Sequence, residues 1–278
     1  MSRELSKSDP APSHFASSDC TRAFSRGDVL VAIAAGQITT LYQPQMSADG
    51  AKICGVEALA RWRHPTLGMI GPGQFVPQLN GDAEAVQALS EAVMRQACRD
   101  GREWNIPRVA VNIDPLQFAI DDLADRIEVI AASEGFPLDR LEIEILETSY
   151  FDDPARAQRV LARLRRAGIS VALDDFGTGY SSLSCLLQLP LDKLKIDASF
   201  VRNVDQLRSA AVIHAIVALS RSIGLKVTAE GVETREQARF LKIAGCHFLQ
   251  GFYFARAITA EEVSAMLASP VQGGARKA

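Results

Sequence analysis

Six short segments, spread along the chain, share one pattern. They are Val56-Glu57-Ala58-Leu59-Ala60-Arg61, Val109-Ala110-Val111-Asn112, Leu141-Glu142-Ile143-Glu144, Val171-Ala172-Leu173-Asp174-Asp175, Leu194-Lys195-Ile196-Asp197 and Val227-Thr228-Ala229-Glu230. In each, large apolar residues alternate with small or polar ones, which is strand periodicity with one packed face. Helix-length stretches with glycine or proline breaks separate them. Acids or their amides recur at the carboxyl ends of successive strands. That arrangement describes the mouth of an α/β barrel.

The 278 residues suit this fold. With a ragged tail over 1–25 and another over 269–278, the body at 26–268 is close to the roughly 250 residues of one (β/α)8 barrel. Strands are expected at Thr40 to Met46, Ile53 to Trp62, up to Asn112, Leu141 to Glu144, up to Asp175, Lys193 to Asp197, up to Glu230 and His247 to Phe252. Only Ser47 to Lys52 joins the first two, too short for a parallel crossover. The expected fold is therefore a TIM-like barrel with one antiparallel strand. Asp114-Pro115 and Asp153-Pro154 read as helix starts, Ala167-Gly168 as a helix end, and Thr234 with Gln237 as a capping box.

Net charge is −3, which gives no general attraction to nucleic-acid polymers or anionic membranes. No apolar run reaches the ~20 residues that span a bilayer. Five scattered cysteines without zinc spacing read as reduced thiols of a cytoplasmic protein.

Period-two alternation puts Glu57, Leu59 and Arg61 on the inner face of their strand. It does the same for Asn112, Glu142, Glu144, Asp174, Lys195, Asp197, Thr228, Glu230 and Gln250. A lone strand-end Glu is usually a solvated surface group. Seven consecutive strands with a polar inner residue, and Lys195 as the one clear base, do not make a balanced ion network. Carboxylates crowded this way repel one another unless cations sit among them. All-oxygen donors favour Mg²⁺ or Mn²⁺ over zinc. The adjacent pair Asp174-Asp175 suits a two-ion site for displacement at phosphorus. Asp175-Phe176-Gly177 spells a kinase motif, but no Gly-rich loop or catalytic loop precedes it.

These residues also carry a family resemblance. Glu57-Ala58-Leu59 resembles the EAL signature of the cyclic di-GMP phosphodiesterases. Tyr42-Gln43-Pro44, Arg61-Trp62-Arg63-His64-Pro65, Glu144-Ile145-Leu146-Glu147, Asp174-Asp175-Phe176-Gly177-Thr178-Gly179, Lys195-Ile196-Asp197, Glu230-Gly231-Val232-Glu233 and Gln250-Gly251 resemble further family motifs in family order. The resemblance implies a barrel that is usually dimeric and hydrolyses cyclic di-GMP to linear pGpG with two Mg²⁺ or Mn²⁺ ions. It implies Glu57, Asn112, Glu144 and Asp174 as ligands of one metal, and Asp174, Asp175 and Glu230 as ligands of the other. Glu57, Lys195 and Glu230 become catalytic candidates. Gln43, Leu59, Arg61, Asn112, Gln117, Asp197, Glu233 and Gln250 become substrate contacts, and Glu147 the anchor of the loop after Asp175. Leu79-Asn80 stands where the family usually has Ala-Glu, and Leu146 where it commonly has threonine. The rival readings are a non-catalytic cyclic di-GMP receptor that signals by protein contact, and a two-metal hydrolase of another phosphodiester.

Overall fold

The computed structural model describes residues 24–146, 153–177 and 183–268. Nine strands form the sheet: β1 (Ile38–Ser47), β2 (Ile53–His64), β3 (Gly68–Ile70), β4 (Val109–Asn112), β5 (Leu141–Leu146), β6 (Ser170–Phe176), β7 (Lys193–Ile196), β8 (Lys226–Ala229) and β9 (Phe248–Gln250). The order is β1-β9-β8-β7-β6-β5-β4-β2, and pairing of β1 with β2 closes the barrel. β1 runs antiparallel to both neighbours, and the other barrel pairs are parallel. The expected barrel with one antiparallel strand is what forms. The sequence reading missed β3, a three-residue strand that folds back on the far end of β2 from Trp62 to His64.

Among the described residues ten helices surround the sheet: α1 (Arg26–Ala34), α2 (Pro72–Phe75), α3 (Ala83–Arg102), α4 (Leu123–Ser133), α5 (Pro154–Arg166), α6 (Leu183–Gln188), α7 (Ala198–Arg202), α8 (Leu207–Ser222), α9 (Arg235–Ala244) and α10 (Ala260–Ala268). Their ends follow local chemistry. Asp153 accepts from Arg156 N with Pro154 at the first helical position of α5. Thr234 and Gln237 form the reciprocal box of α9, whose end is a left-handed Gly245. Asp114 caps a 3-10 turn over Pro115–Ala119 rather than a long helix, and α4 starts later. Ser25 caps α1 and Phe24 packs 4.6 Å from Trp62, so two residues assigned by sequence to the tail belong to the folded body. Among the described residues no helix is long and apolar enough to cross a membrane.

The alternation sorts the side chains. Val56, Val109, Val111, Leu141, Ile143, Val171, Leu194, Ile196, Val227 and Leu249 are fully buried between sheet and helices. At roughly 1.5–3 kcal/mol each, such burial is what holds the helical ring to the barrel. The opposite face points inward and is polar. Gln45, Glu142, Glu144, Lys193, Lys195, Thr228 and Gln250 are all buried inside the barrel.

Candidate metal centre at the barrel mouth

Glu57, Glu144 and Asp174 approach closely enough for one oxygen from each to lie within 4.8 Å of the others. Asp174, Asp175 and Glu230 form a second such group, and Asp174 belongs to both. Glu57 stands in the middle of the long β2, Glu144, Asp174 and Asp175 toward the carboxyl ends of β5 and β6, and Glu230 just after β8.

Adjacent residues of a regular strand face opposite sides, so Asp174 and Asp175 should not converge. The pairing of β6 with β7 slips between Leu173 and Phe176. Within that irregularity Asp175 takes φ +56°, the one positive φ of a non-glycine among the described residues. A bulge of this kind re-aims a side chain at the cost of local strain. Asp175 N in turn donates to Asp174 Oδ1 at 2.8 Å. After Glu230, Gly231 holds φ +64°, and a Cβ there would lie 2.4 Å from that of Ala198. Only glycine allows that close turn against α7.

Lys195 sits in the middle of the acids. Its ammonium is 2.7 Å from Glu144, 2.7 Å from Glu230, 3.1 Å from Asp174 and 3.4 Å from Glu57, and it is completely buried. Burial alone would lower its pKa, but Asp174, Glu144, Glu230 and Glu57 outweigh that and hold it well above the usual lysine range. Burial pushes Glu144 well above the ordinary carboxylate range and raises Asp174. Burial, together with Asp174 and Asp197, pushes Asp175 up to about 6. Burial, opposed by Lys195 and reinforced by Asp174 and Glu57, pushes Glu230 up to about 8. Glu57 goes the other way. Its burial penalty is overcome by Lys195 and by hydrogen bonds from Gln250 and Asn112.

Gln250 Nε2 donates to Glu57 at 2.6 Å and to Gln43 Oε1 at 3.1 Å, and Asn112 Nδ2 donates to Glu57 at 2.9 Å. Thus Gln43, Asn112 and Gln250 join Glu57 in one network. Leu59 and Arg61 continue the Glu57 face of β2 toward the rim and are half-buried, and burial lowers the Arg61 pKa. Asp197 caps α7 through Ser199 N at 2.9 Å, and Glu233 is exposed. Gln117 goes elsewhere. It is fully buried in the 3-10 turn and donates to Ser90 of α3 at 2.8 Å. Glu147 lies outside the described residues.

Two residues escaped the sequence reading. Lys193, two positions before Lys195 on the same face, is also buried and pairs with Glu142 at 2.6 Å. Lys195 is therefore not the sole inward base, and the signal was the same alternation carried one step further. Gln45 links the two levels. Lys193 donates to its Oε1 at 3.3 Å, and its Nε2 donates to Glu144 at 3.4 Å. Leu79, at the departure from the family pattern, is a fully buried core residue, and Asn80 beside it is exposed.

An EAL domain model matches residues 26–257. The chain belongs to the EAL domain family. It is 39% identical over 250 residues to the bifunctional diguanylate cyclase/cyclic di-GMP phosphodiesterase MucR of Pseudomonas aeruginosa, covering 87% of this chain and 36% of that protein. It is 35% identical over 244 residues to the oxygen sensor protein DosP of Escherichia coli, covering 86% of this chain and 30% of that protein. The chain thus spans about a third of the length of these curated relatives. The structure of the PaMucR phosphodiesterase in complex with c-di-GMP superposes with a TM-score of 0.79 at 38% identity, covering 85% of this chain and 98% of that one.

The donor set of this EAL domain fits divalent cations. Glu57, Glu144, Asp174, Asp175 and Glu230 offer carboxylates around the single ammonium of Lys195. Fully ionised, they leave an excess of negative charge that a low-dielectric interior does not tolerate. The crowding shows in the raised pKa values of Asp175 and Glu230. One or two divalent ions would neutralise that excess.

Proposed function

We propose that this EAL domain hydrolyses cyclic di-GMP to linear pGpG, using two Mg²⁺ or Mn²⁺ ions. The observation that carries the reading is Asp174, whose carboxylate belongs to two groups of acids at once and can bridge a metal pair. Glu57, Asn112, Glu144 and Asp174 would hold one ion, and Asp174, Asp175 and Glu230 the other. A pair of bound ions lowers the pKa of a coordinated water and neutralises charge developing on phosphate.

The chain's own residues supply the rest. Gln250 and Asn112 fix the Glu57 carboxylate by donating to its two oxygens. Lys195, held cationic among acids, places a fixed positive charge beside the reacting phosphate. Gln43, Leu59, Arg61, Asp197, Glu233 and Gln250 would line the substrate's approach, with the Arg61 guanidinium the one cation among them. Gln117 would have to leave Ser90 to take part. Glu147 would anchor the loop that follows Asp175. By the family resemblance the domain works as a homodimer, and its scattered cysteines suit the cytoplasm. Light scattering on the eluted protein tests the dimer.

The test is direct. Purified protein is incubated with cyclic di-GMP and Mg²⁺ or Mn²⁺, and the products are resolved by chromatography. Linear pGpG is expected, and none in excess chelator. Tight binding of cyclic di-GMP without any product would establish the receptor reading in its place.

A further inference from the structure

The opposite end of the barrel carries a cavity of about 830 Å³, formed by the amino ends of the strands and the turns that lead into them. Its volume suits a ligand the size of a nucleotide or sugar phosphate. It shares no residue with the acidic groups at the mouth. The walls are basic although the whole chain is acidic, at net −3. Two of the cations are already matched: Arg165 pairs with Asp192 at 2.6 Å and Lys193 with Glu142 at 2.6 Å. Three are not. Arg108, Arg166 and Lys226 have no carboxylate partner among the described residues, although all three line the cavity. Arg108 and Arg166 donate only to the backbone oxygens of Asp139 and Ala162, and Lys226 lies 5.9 Å from the Phe248 ring centre. Unmatched cations lining one concave site attract an anion, and guanidinium groups match phosphate oxygens well.

A second observation concerns the inner end. Glu142 lines this cavity and is fully buried, yet its Oε2 has no hydrogen-bond partner. A buried carboxylate oxygen without a donor is costly. An inorganic anion held at the rim does not extend to the floor, whereas a hydroxyl carried beyond the phosphate brings the donor there. The two ends of the cavity thus ask for opposite things, negative charge at the rim and an O–H donor at the floor.

We infer that this cavity is a binding site for a small phosphorylated, hydroxyl-bearing molecule, separate from the barrel mouth. Its phosphate is held by Arg108, Arg166 and Lys226, and its hydroxyl end faces Glu142.

The experiment is calorimetric titration of the full chain with ribose 5-phosphate, with and without Mg²⁺, beside a titration with inorganic phosphate. Saturable binding tighter than about 1 mM is expected, retained in excess chelator, weakened by salt and tighter than that of inorganic phosphate. The double variant Arg166→Glu with Lys226→Glu should weaken it by at least ~10-fold, as two reversed charges imply, while circular dichroism stays unchanged. Arg108→Gln, a milder change, should weaken it in the same direction if the double variant does not fold. Binding that requires Mg²⁺, or that survives these substitutions unchanged, would put the anion elsewhere and overturn the site. Absence of saturation, or equal affinity for inorganic phosphate, would overturn it as well.

Discussion

Two lysines two residues apart on β7 meet two glutamates two residues apart on β5, with opposite results. Lys193 and Glu142 form a matched pair, one positive charge for one negative, at 2.6 Å. Lys195 and Glu144 form an equally short contact, but Asp174, Glu230 and Glu57 crowd the same ammonium. The residue types, strands and burial are the same at both levels, so the chemistry does not come from a buried Lys–Glu pair. It comes from the surplus of acids at the mouth. A balanced pair has no net charge to neutralise, whereas a surplus of acids calls for cations. The lower level therefore reads as scaffold and the upper as a centre waiting for cations.

The largest expected effect tests the surplus. Asp174→Ala should abolish hydrolysis of cyclic di-GMP, by more than about a thousandfold, since it removes the carboxylate common to both acid groups. It should leave the fold intact, because one acid fewer relieves repulsion around Lys195. Circular dichroism showing an unfolded variant would break the comparison.

The scaffold level should respond in the reverse sense. Glu142→Ala leaves Lys193 buried without its carboxylate, a defect of about 3 kcal/mol or more. Urea unfolding should show that loss, and the rate per folded molecule should change far less than in Asp174→Ala. A variant as stable as the parent would mean that Lys193 finds solvent through the cavity beneath it.

Lys195→Met comes next. Turnover should fall at least ~100-fold, a few kcal/mol of lost transition-state stabilisation. Bound metal, measured by mass spectrometry, should be retained. Loss of metal together with rate would show the lysine to be part of the ion-holding frame.

The smallest effect is in pH dependence. The folded-state pKa values of Glu230 and Asp175, about 8 and about 6, lie above their ordinary values. The folded protein therefore binds more protons than the unfolded chain between roughly pH 4 and pH 8, and without metal its stability falls as pH rises through that window. Glu144 and Asp174 shift in the same direction, and Glu57 opposes them. Thermal unfolding in chelator should thus give a lower midpoint at pH 8 than at pH 5.5, and Mg²⁺ should remove most of the difference.

Much of this contrast was legible in the residues. Alternation gave the inner positions of Glu57, Glu142, Glu144, Asp174 and Lys195, because a period of two fixes the face regardless of tertiary context. The short Ser47 to Lys52 connection required the antiparallel start for the same kind of reason. What stayed hidden depends on backbone departures from regularity. Nothing in the letters Asp174-Asp175 announces the left-handed φ that turns both acids to one centre. Gln117 sits in a helix-start pattern, yet it lies in a 3-10 turn and donates to Ser90 of α3. Three-residue β3 is too short to show a period. Lys193 was readable and passed over, since attention to strand ends favours the mouth.

Gln45 stands between the two charge systems and accepts from Lys193 while donating to Glu144. An amide presents an acceptor to one side and a donor to the other, so its orientation is keyed by its neighbours. Glutamate here would repel Glu144, and lysine would repel Lys193. An amide also neither gains nor loses a proton in the ordinary pH range. The contact between the two levels therefore transmits orientation but conducts no protons. The carboxylates of the mouth can fill and empty with pH or with metal without passing a proton through position 45. Position 45 is an insulator, and it lets one barrel keep a level of surplus acid apart from a level of matched charge.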